Sequence, residues 1–384
     1  MFLNDLPDEC LYLIFKRING LDDLINCGEV CSRWNYLINR RLFHVKYLTG
    51  VPSSSYSVDT IYFGESDALK DINFWQLLPN VKILDVPRKN EFNYEDLVNI
   101  LTKSKSIKGL IYHPVLTKVL ARYCGNLEMI ATRYSKIYFT DIIINCGTKL
   151  KQLYIWYLSF RHLERFVRHL PNLQRLHIND TTGETNYIYN GSMLENLKIL
   201  EISLEPFDRL NIYAGFHLID FCPSLVSAYF NVHGSNGVFF DESVKNYCLR
   251  DLVIQYTVYD CSHNWISLRN FLTKFPNLRH LAVRGNQNLQ DDHISELITF
   301  LPHLIILDLR SCYGVTQQSA DDIVDYCKKN KRFISIYTKS DQPINLDWPE
   351  LSDCDSRICS TFDFMRNCFL KSFDQLPLLM DSFS

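Results

Sequence analysis

The sequence predicts an α/β fold: a short all-α segment followed by a right-handed solenoid with parallel strands inside and helices outside. Three observations predict it. An L-x-x-L-x-L pattern recurs about a dozen times, and its middle apolar residue advances from Ile61 to Ile334 in steps of ~25 residues. The first fifty residues instead space their apolar side chains three and four apart, the period of a helix face. Hydrophobic residues make up 47% of the 384-residue chain and charged residues 22%, with 24 Phe and 22 Tyr, so the elements have a core to join. Lys plus Arg is 40 against 43 Asp plus Glu, and the net charge of −3 argues against a strongly basic nucleic-acid binder.

The N-terminal segment reads as three short helices. Pro7 suits a first helical turn, and Asp8 and Glu9 favour the positive end of the helix dipole. Leu11, Ile14, Phe15 and Ile18 form one stripe, and Gly20 is a natural stop. Asp22 or Asp23 can cap the second helix, and Val30, Trp34, Leu37 and Ile38 form the stripe of the third. About 45 residues with this much apolar surface are marginal alone and need a partner or the rest of the chain.

The order of residues resembles the F-box. Leu6-Pro7-Asp8-Glu9, Leu13-Ile14-Phe15, Leu21-Asp22-Asp23-Leu24 and Val30-Cys31-Ser32-Arg33-Trp34 stand at that family's spacing, over roughly residues 3 to 48. Cys10 and Gly28 depart from it, standing where larger aliphatics are usual. The resemblance implies binding to the SKP adaptor of a cullin–RING ubiquitin ligase. It assigns Leu6, Pro7, Leu13, Ile14, Leu24, Val30 and Trp34 to the marked positions, some of which must hold the domain's own core. A helical cap that merely seals the next domain is the alternative.

Twelve strands follow from the repeat. Their middle residues are Ile61, Leu84, Leu110, Ile130, Leu153, Leu176, Leu200, Ala228, Leu252, Leu281, Leu307 and, more weakly, Ile334. Leucines point inward, intervening residues face out, and a helix returns the chain outside, as in leucine-rich repeats. The unit from Leu307 through Cys312 and Gly314 to Cys327 resembles the cysteine-containing repeat that commonly accompanies an F-box, and Asn286 takes the place of Cys312 one unit earlier. Residues 180 to 196, 203 to 216 and 256 to 266 are expected to form loops or ragged helices. The predicted domains are an F-box over 1–50, about twelve leucine-rich repeats over 51–340, and a C-terminal cap or tail over 341–384. That last segment is acidic and carries Trp348, Phe364, Phe369 and Phe373. A cap over the final repeat is preferred to a tail across the concave face.

Thirteen cysteines without a C-x-x-C pair suit reduced thiols, not disulfides or zinc. Cys124, Cys146, Cys222, Cys248, Cys312 and Cys327 fall at repeat boundaries and turns, where a structural role explains them. The acidic opening and the lack of an ~18-residue apolar run suggest a soluble cytoplasmic and/or nuclear protein.

No nucleophile elbow, phosphate loop or zinc-protease pattern occurs, so no catalytic residue, metal or cofactor is expected. The expected site is the concave strand face. Its outward residues are Arg133, Tyr154, Trp156, His177, Asn179, Glu201, Tyr229, Asn231, Gln255, Arg284, Asp308 and Arg310. Exposed Tyr, Trp and Arg anchor interfaces, so Arg133, Tyr154, Trp156, His177, Tyr229, Arg284 and Arg310 are the candidate substrate contacts. Tyr154, Trp156 and His177 form one aromatic patch. Arg284 and Arg310 suit an acidic or phosphorylated degron, weakened by Asp308 beside them. The predicted function is a non-catalytic substrate receptor of an SCF-type ligase, partnered by the adaptor, the cullin–RING ligase and a protein substrate, with no nucleic acid or membrane. The alternatives are a non-ligase scaffold and a small-ligand sensor.

Overall fold

The structure is a computed structural model. It describes residues 3–51, 57–64, 74–86, 94–112, 118–136, 138–183, 187–206, 212–233, 237–257, 263–338 and 357–381. Trp348 and the start of the C-terminal segment lie outside them. The chain divides into two compact units: Met1–Leu150 with Cys354–Ser360 and Pro377–Ser384, and Lys151–Asp353 with Thr361–Leu376.

The first unit opens with α1 (Asp8–Phe15), α2 (Leu21–Glu29) and α3 (Ser32–Phe43). Leu11, Phe15, Leu21, Leu24, Leu37, Ile38 and Leu42 are at most 2% exposed and close a small core. The expected stripe on α1 therefore splits: Leu11 and Phe15 turn in, and Ile14 turns out. Gly20 does not stop α1. The helix ends at Phe15, because the Arg17 and Ile18 N–H groups donate three residues back, to Ile14 and Phe15, tightening the last turn. Val30 lies just past α2, not on α3. The Tyr62 N–H donates to the Asn19 carbonyl at 2.8 Å, which ties this domain to the first strands.

Those strands are β1 (Tyr47–Thr49), β2 (Thr60–Tyr62), β3 (Ile83–Val86), β4 (Gly109–Tyr112) and β5 (Met129–Arg133). They are accompanied by α4 (Phe74–Leu77), α5 (Tyr94–Lys103), α6 (Lys118–Ala121) and α7 (Phe139–Cys146). Pairing runs in the order β2, β1, β3, β4, β5, parallel where the register is defined. Leu48, Ile61, Leu84, Leu110 and Ile130 share one row and are fully buried. Each contributes roughly 1.5–3 kcal/mol of burial before ordering costs. Strand β1 is absent from the sequence-based set, and β2 sits outside it at the edge.

The second unit holds β6 (Gln152–Trp156), α8 (Phe160–Phe166), β7 (Arg175–Gly183), β8 (Ile199–Pro206), β9 (Ile212–Tyr213), β10 (Ser227–Val232), β11 (Gly237–Val238) and β12 (Asp251–Tyr256). After these come α9 (Trp265–Leu272), β13 (His280–Arg284), α10 (Asp291–Phe300), β14 (Ile306–Asp308), α11 (Gln317–Asn330) and β15 (Ser335–Tyr337). Eight strands pair in parallel in the order β6, β7, β8, β10, β12, β13, β14, β15, and β9 pairs separately with β11. Leu153, Leu176, Leu200, Ala228, Leu252, Leu281 and Leu307 align across the strands and are buried; Ile336 at the end is half-buried. The α/β class and the parallel strands are as the sequence predicts. Residues 180–183 extend β7 instead of forming a loop, because β8 is also long and keeps pairing past a register shift between Asp180 and Gly183.

The turn after β13 is set by Gly285, whose φ is +72°. A Cβ there would stand 2.6 Å from the Tyr256 carbonyl oxygen. Asn286 then donates to the His263 carbonyl at 3.2 Å and accepts from the Asn288 N–H at 2.8 Å, while Cys312 donates to the Val283 carbonyl at 3.1 Å. Gly285→Ala is expected to cost ~1–3 kcal/mol in urea unfolding, from the left-handed backbone and the backbone clash together. Of the other boundary cysteines, Cys124, Cys146 and Cys222 are buried and donate to carbonyls four residues back; Cys248 is exposed and Cys327 half-buried. Burial pushes the Cys124 and Cys312 thiols up to about 12, which makes them unreactive.

Candidate functional site

The helical domain leaves apolar side chains in solvent although its core is complete. Leu13 is 62% exposed, Ile14 38% and Val30 63%; Pro7 is exposed, and Leu6 and Trp34 are half-buried. Leu24 is fully buried and belongs to the core. Arg33 fastens the N-terminal segment: its guanidinium donates to Asp8 and to the Asn4 and Leu6 carbonyls, each at 2.7 Å. Trp34 donates to the Asn4 side chain at 3.2 Å and meets Phe15 edge-on at 5.2 Å. Leu6, Pro7 and Ile14 are thereby presented from a fixed segment. Tyr36, 66% exposed on α3, is a further candidate contact; its only sequence signal is an aromatic outside the Trp34–Leu37–Ile38 stripe.

In the second unit the structure brings the expected aromatic patch together. Tyr154 stacks on His177 with ring centres 3.7 Å apart and meets Trp156 at 4.5 Å. Beside them lies a charged network that includes one residue missing from the sequence-based set, Arg175. Its Nε and terminal nitrogen donate to Glu201 at 2.9 and 2.8 Å, and His177 Nδ1 stands 3.0 Å from the same carboxylate oxygen. Arg175, His177 and Glu201 are at most 1% exposed. Burial raises the Glu201 carboxyl, but Arg175 and His177 outweigh it and hold the pKa low; burial also holds His177 below its ordinary value, against Glu201.

Further along, Asp308 gathers both arginines of the expected degron pocket. Arg284 Nε donates to it at 2.7 Å, and Arg310 at 2.9 and 2.8 Å. Burial opposes the Asp308 charge, and the two guanidiniums overcome it and keep its pKa low.

Most of this face is covered by residues 361–376. Phe373 lies 4.8 Å from the His177 ring and 5.5 Å from Tyr229, and Phe369 lies 6.1 Å from His280. Arg284 donates to the Phe369 carbonyl and, at 2.7 Å, to that of Lys371; Tyr229 reaches Lys371 at 2.9 Å and Arg310 reaches Leu370 at 3.3 Å. His177, Tyr229 and Arg284 are consequently 0%, 0% and 8% exposed; Tyr154, stacked on His177, is 7% exposed, whereas Trp156 and Arg310 are half-buried. These C-terminal residues thus lie against the strands, where the sequence reading preferred a cap on the last repeat. In the first unit, Ile358–Cys359 (β16) pairs with Leu379–Met380 (β17), Asp381 accepts from the Tyr47 hydroxyl at 2.8 Å, and Arg357 meets Asp85 at 3.0 Å. Arg133, half-buried at the end of β5, belongs to that unit.

His233 and His263 are likewise held below the ordinary histidine value by burial, His263 at about 4. An unfolded histidine titrates near 6.5. The unfolded chain therefore takes up protons that the folded unit refuses, and stability falls as pH drops from about 6.5 towards 4. His263 alone removes about 2 kcal/mol between pH 7 and 5. The melting temperature is expected to be lower at pH 5 than at pH 7, and His263→Gln to narrow the difference.

A small helical domain with a closed core and unpartnered apolar side chains is a docking module. Residues 3–49 match the F-box-like family and form an F-box-like domain. Among solved structures, the chain is similar to one from the Rad7–Elc1 complex of yeast, with 16% identity, a TM-score of 0.43, and coverage of 81% of this chain and 90% of that one. Among the described residues no helix is long and apolar enough to cross a membrane.

Proposed function

We propose that this chain is the non-catalytic substrate-recognition subunit of an SCF-type ubiquitin ligase, working in the cytoplasm and/or nucleus. The F-box-like domain docks on the SKP adaptor, and leucine-rich repeats built from the ~25-residue units hold a protein substrate. The carrying observation is the F-box-like domain at residues 3–49 with Leu13, Ile14 and Val30 left in solvent over a finished core. The ligase gains rate by proximity, with no covalent step on this chain. The test is reconstitution: purified full-length chain is expected to capture the adaptor and, with neddylated cullin–RING ligase, to direct ubiquitin onto a co-purified partner. Adaptor capture without any conjugate would favour the second reading, a scaffold that does not deliver substrates. One observation favours that reading, since residues 361–376 cover His177, Tyr229 and Arg284.

A further inference from the structure

Three consecutive backbone carbonyls, of Phe369, Leu370 and Lys371, each accept from a side chain on a strand or in the turn just after β14: Arg284, Arg310 of that turn, and Arg284 with Tyr229. Asp308 holds both guanidiniums in place at 2.7–2.9 Å, so the donors are aimed before any ligand arrives. On either side of these carbonyls, Phe369 and Phe373 are 0% and 3% exposed, against His280 and against His177 with Tyr229. Asp363, Arg366, Asp374 and Gln375 point into solvent. The strands therefore read main-chain oxygens and two aromatic rings, with Cys368 and Leu376 of the segment also buried, and nothing in that chemistry requires the peptide to belong to this chain.

The geometry points to a peptide-binding site occupied by its own chain. The strand face of the second unit holds residues 366–376 as an internal ligand, and protein partners that use this face carry a turn with two large aromatic side chains four residues apart. The inference rests on reading the strands as the substrate face and is independent of the adaptor. Tethering gives the internal segment an effective concentration on the order of millimolar, so a free ligand gains the face only when the tether's hold weakens.

The test uses a fluorescein-labelled peptide of residues 363–376 and the full-length chain. Phe369→Ala/Phe373→Ala is expected to bind the peptide at least tenfold more tightly than wild type does, because its own segment no longer competes. A peptide in which Phe369 and Phe373 are both replaced by alanine is expected not to bind. Equal affinity for wild type and for the variant, with the circular dichroism melt intact, overturns the proposal. If the variant fails to fold, hydrogen exchange on wild type decides. Saturating peptide is expected to accelerate exchange at the Asn367, Lys371 and Gln375 amides, which are hydrogen-bonded within the segment, and no acceleration at millimolar peptide overturns the proposal. Adaptor capture measured on the same samples separates this failure from failure of the F-box reading.

Discussion

Leu13→Asp combined with Ile14→Asp is expected to abolish adaptor capture while leaving the melting curve of the free chain nearly unchanged. Both side chains stand in solvent at 62% and 38% exposure, and surface substitutions of this kind usually move stability by no more than about 0.5 kcal/mol. At an apolar interface the same change removes two anchors and forces two carboxylates out of water. Anchors of this kind are worth about 2 kcal/mol each, so the pair should weaken binding by ~10³-fold. Leu24→Asp is the contrasting control. Leu24 is fully buried, and a charge there should unfold the domain and lose capture for a different reason. Capture that survives the double substitution on a folded chain would remove α1 from the docking surface.

That contrast marks where the sequence stops being informative. Leu13 and Leu24 are the same residue in the same resemblance, and only the packing of α1 and α2 against α3 tells the surface one from the core one. Eleven of the twelve expected strands were legible in register because an inward apolar ladder needs one aligned residue per unit; the twelfth was centred two residues early, on Ile334, whereas Ile336 aligns with Leu307. Strand β1 was not, because Tyr47-Leu48-Thr49 offers a single leucine, and its tyrosine is buried by Asp381, 334 residues away. The outward residues of the second unit were legible as positions but not as surfaces. Tyr229 is covered through a contact spanning 142 residues and Arg284 through ones spanning 87 and 85, and the segment that covers them has no repeat to give its place. Arg175 escaped for another reason. It precedes the outward pair of its strand by one alternation, and its partner Glu201 lies diagonally on the next strand, so the pair exists only once the register is known.

The same pair carries the largest stability effect expected in the second unit. Arg175 is 1% exposed, Glu201 is fully buried, and the two form an ion pair at 2.8 Å. Glu201→Leu removes the carboxylate from a dry, charged guanidinium, and breaking a buried pair in this way typically costs about 3–5 kcal/mol. Against the 5–15 kcal/mol of ordinary domain stability, that is a large share. His177 loses its partner in the same change, and Phe373 rests on His177 at 4.8 Å, so residues 361–376 should loosen before the strands do. Arg175→Met with Glu201→Leu removes both charges and fills similar volume. It is expected to recover most of the loss in urea unfolding, because replacing a buried pair by apolar groups is often neutral. Recovery in the double variant measures the coupling directly. If Glu201→Leu alone unfolds within about 0.5 kcal/mol of wild type, the Arg175–Glu201 pair does not carry the stability assigned to it.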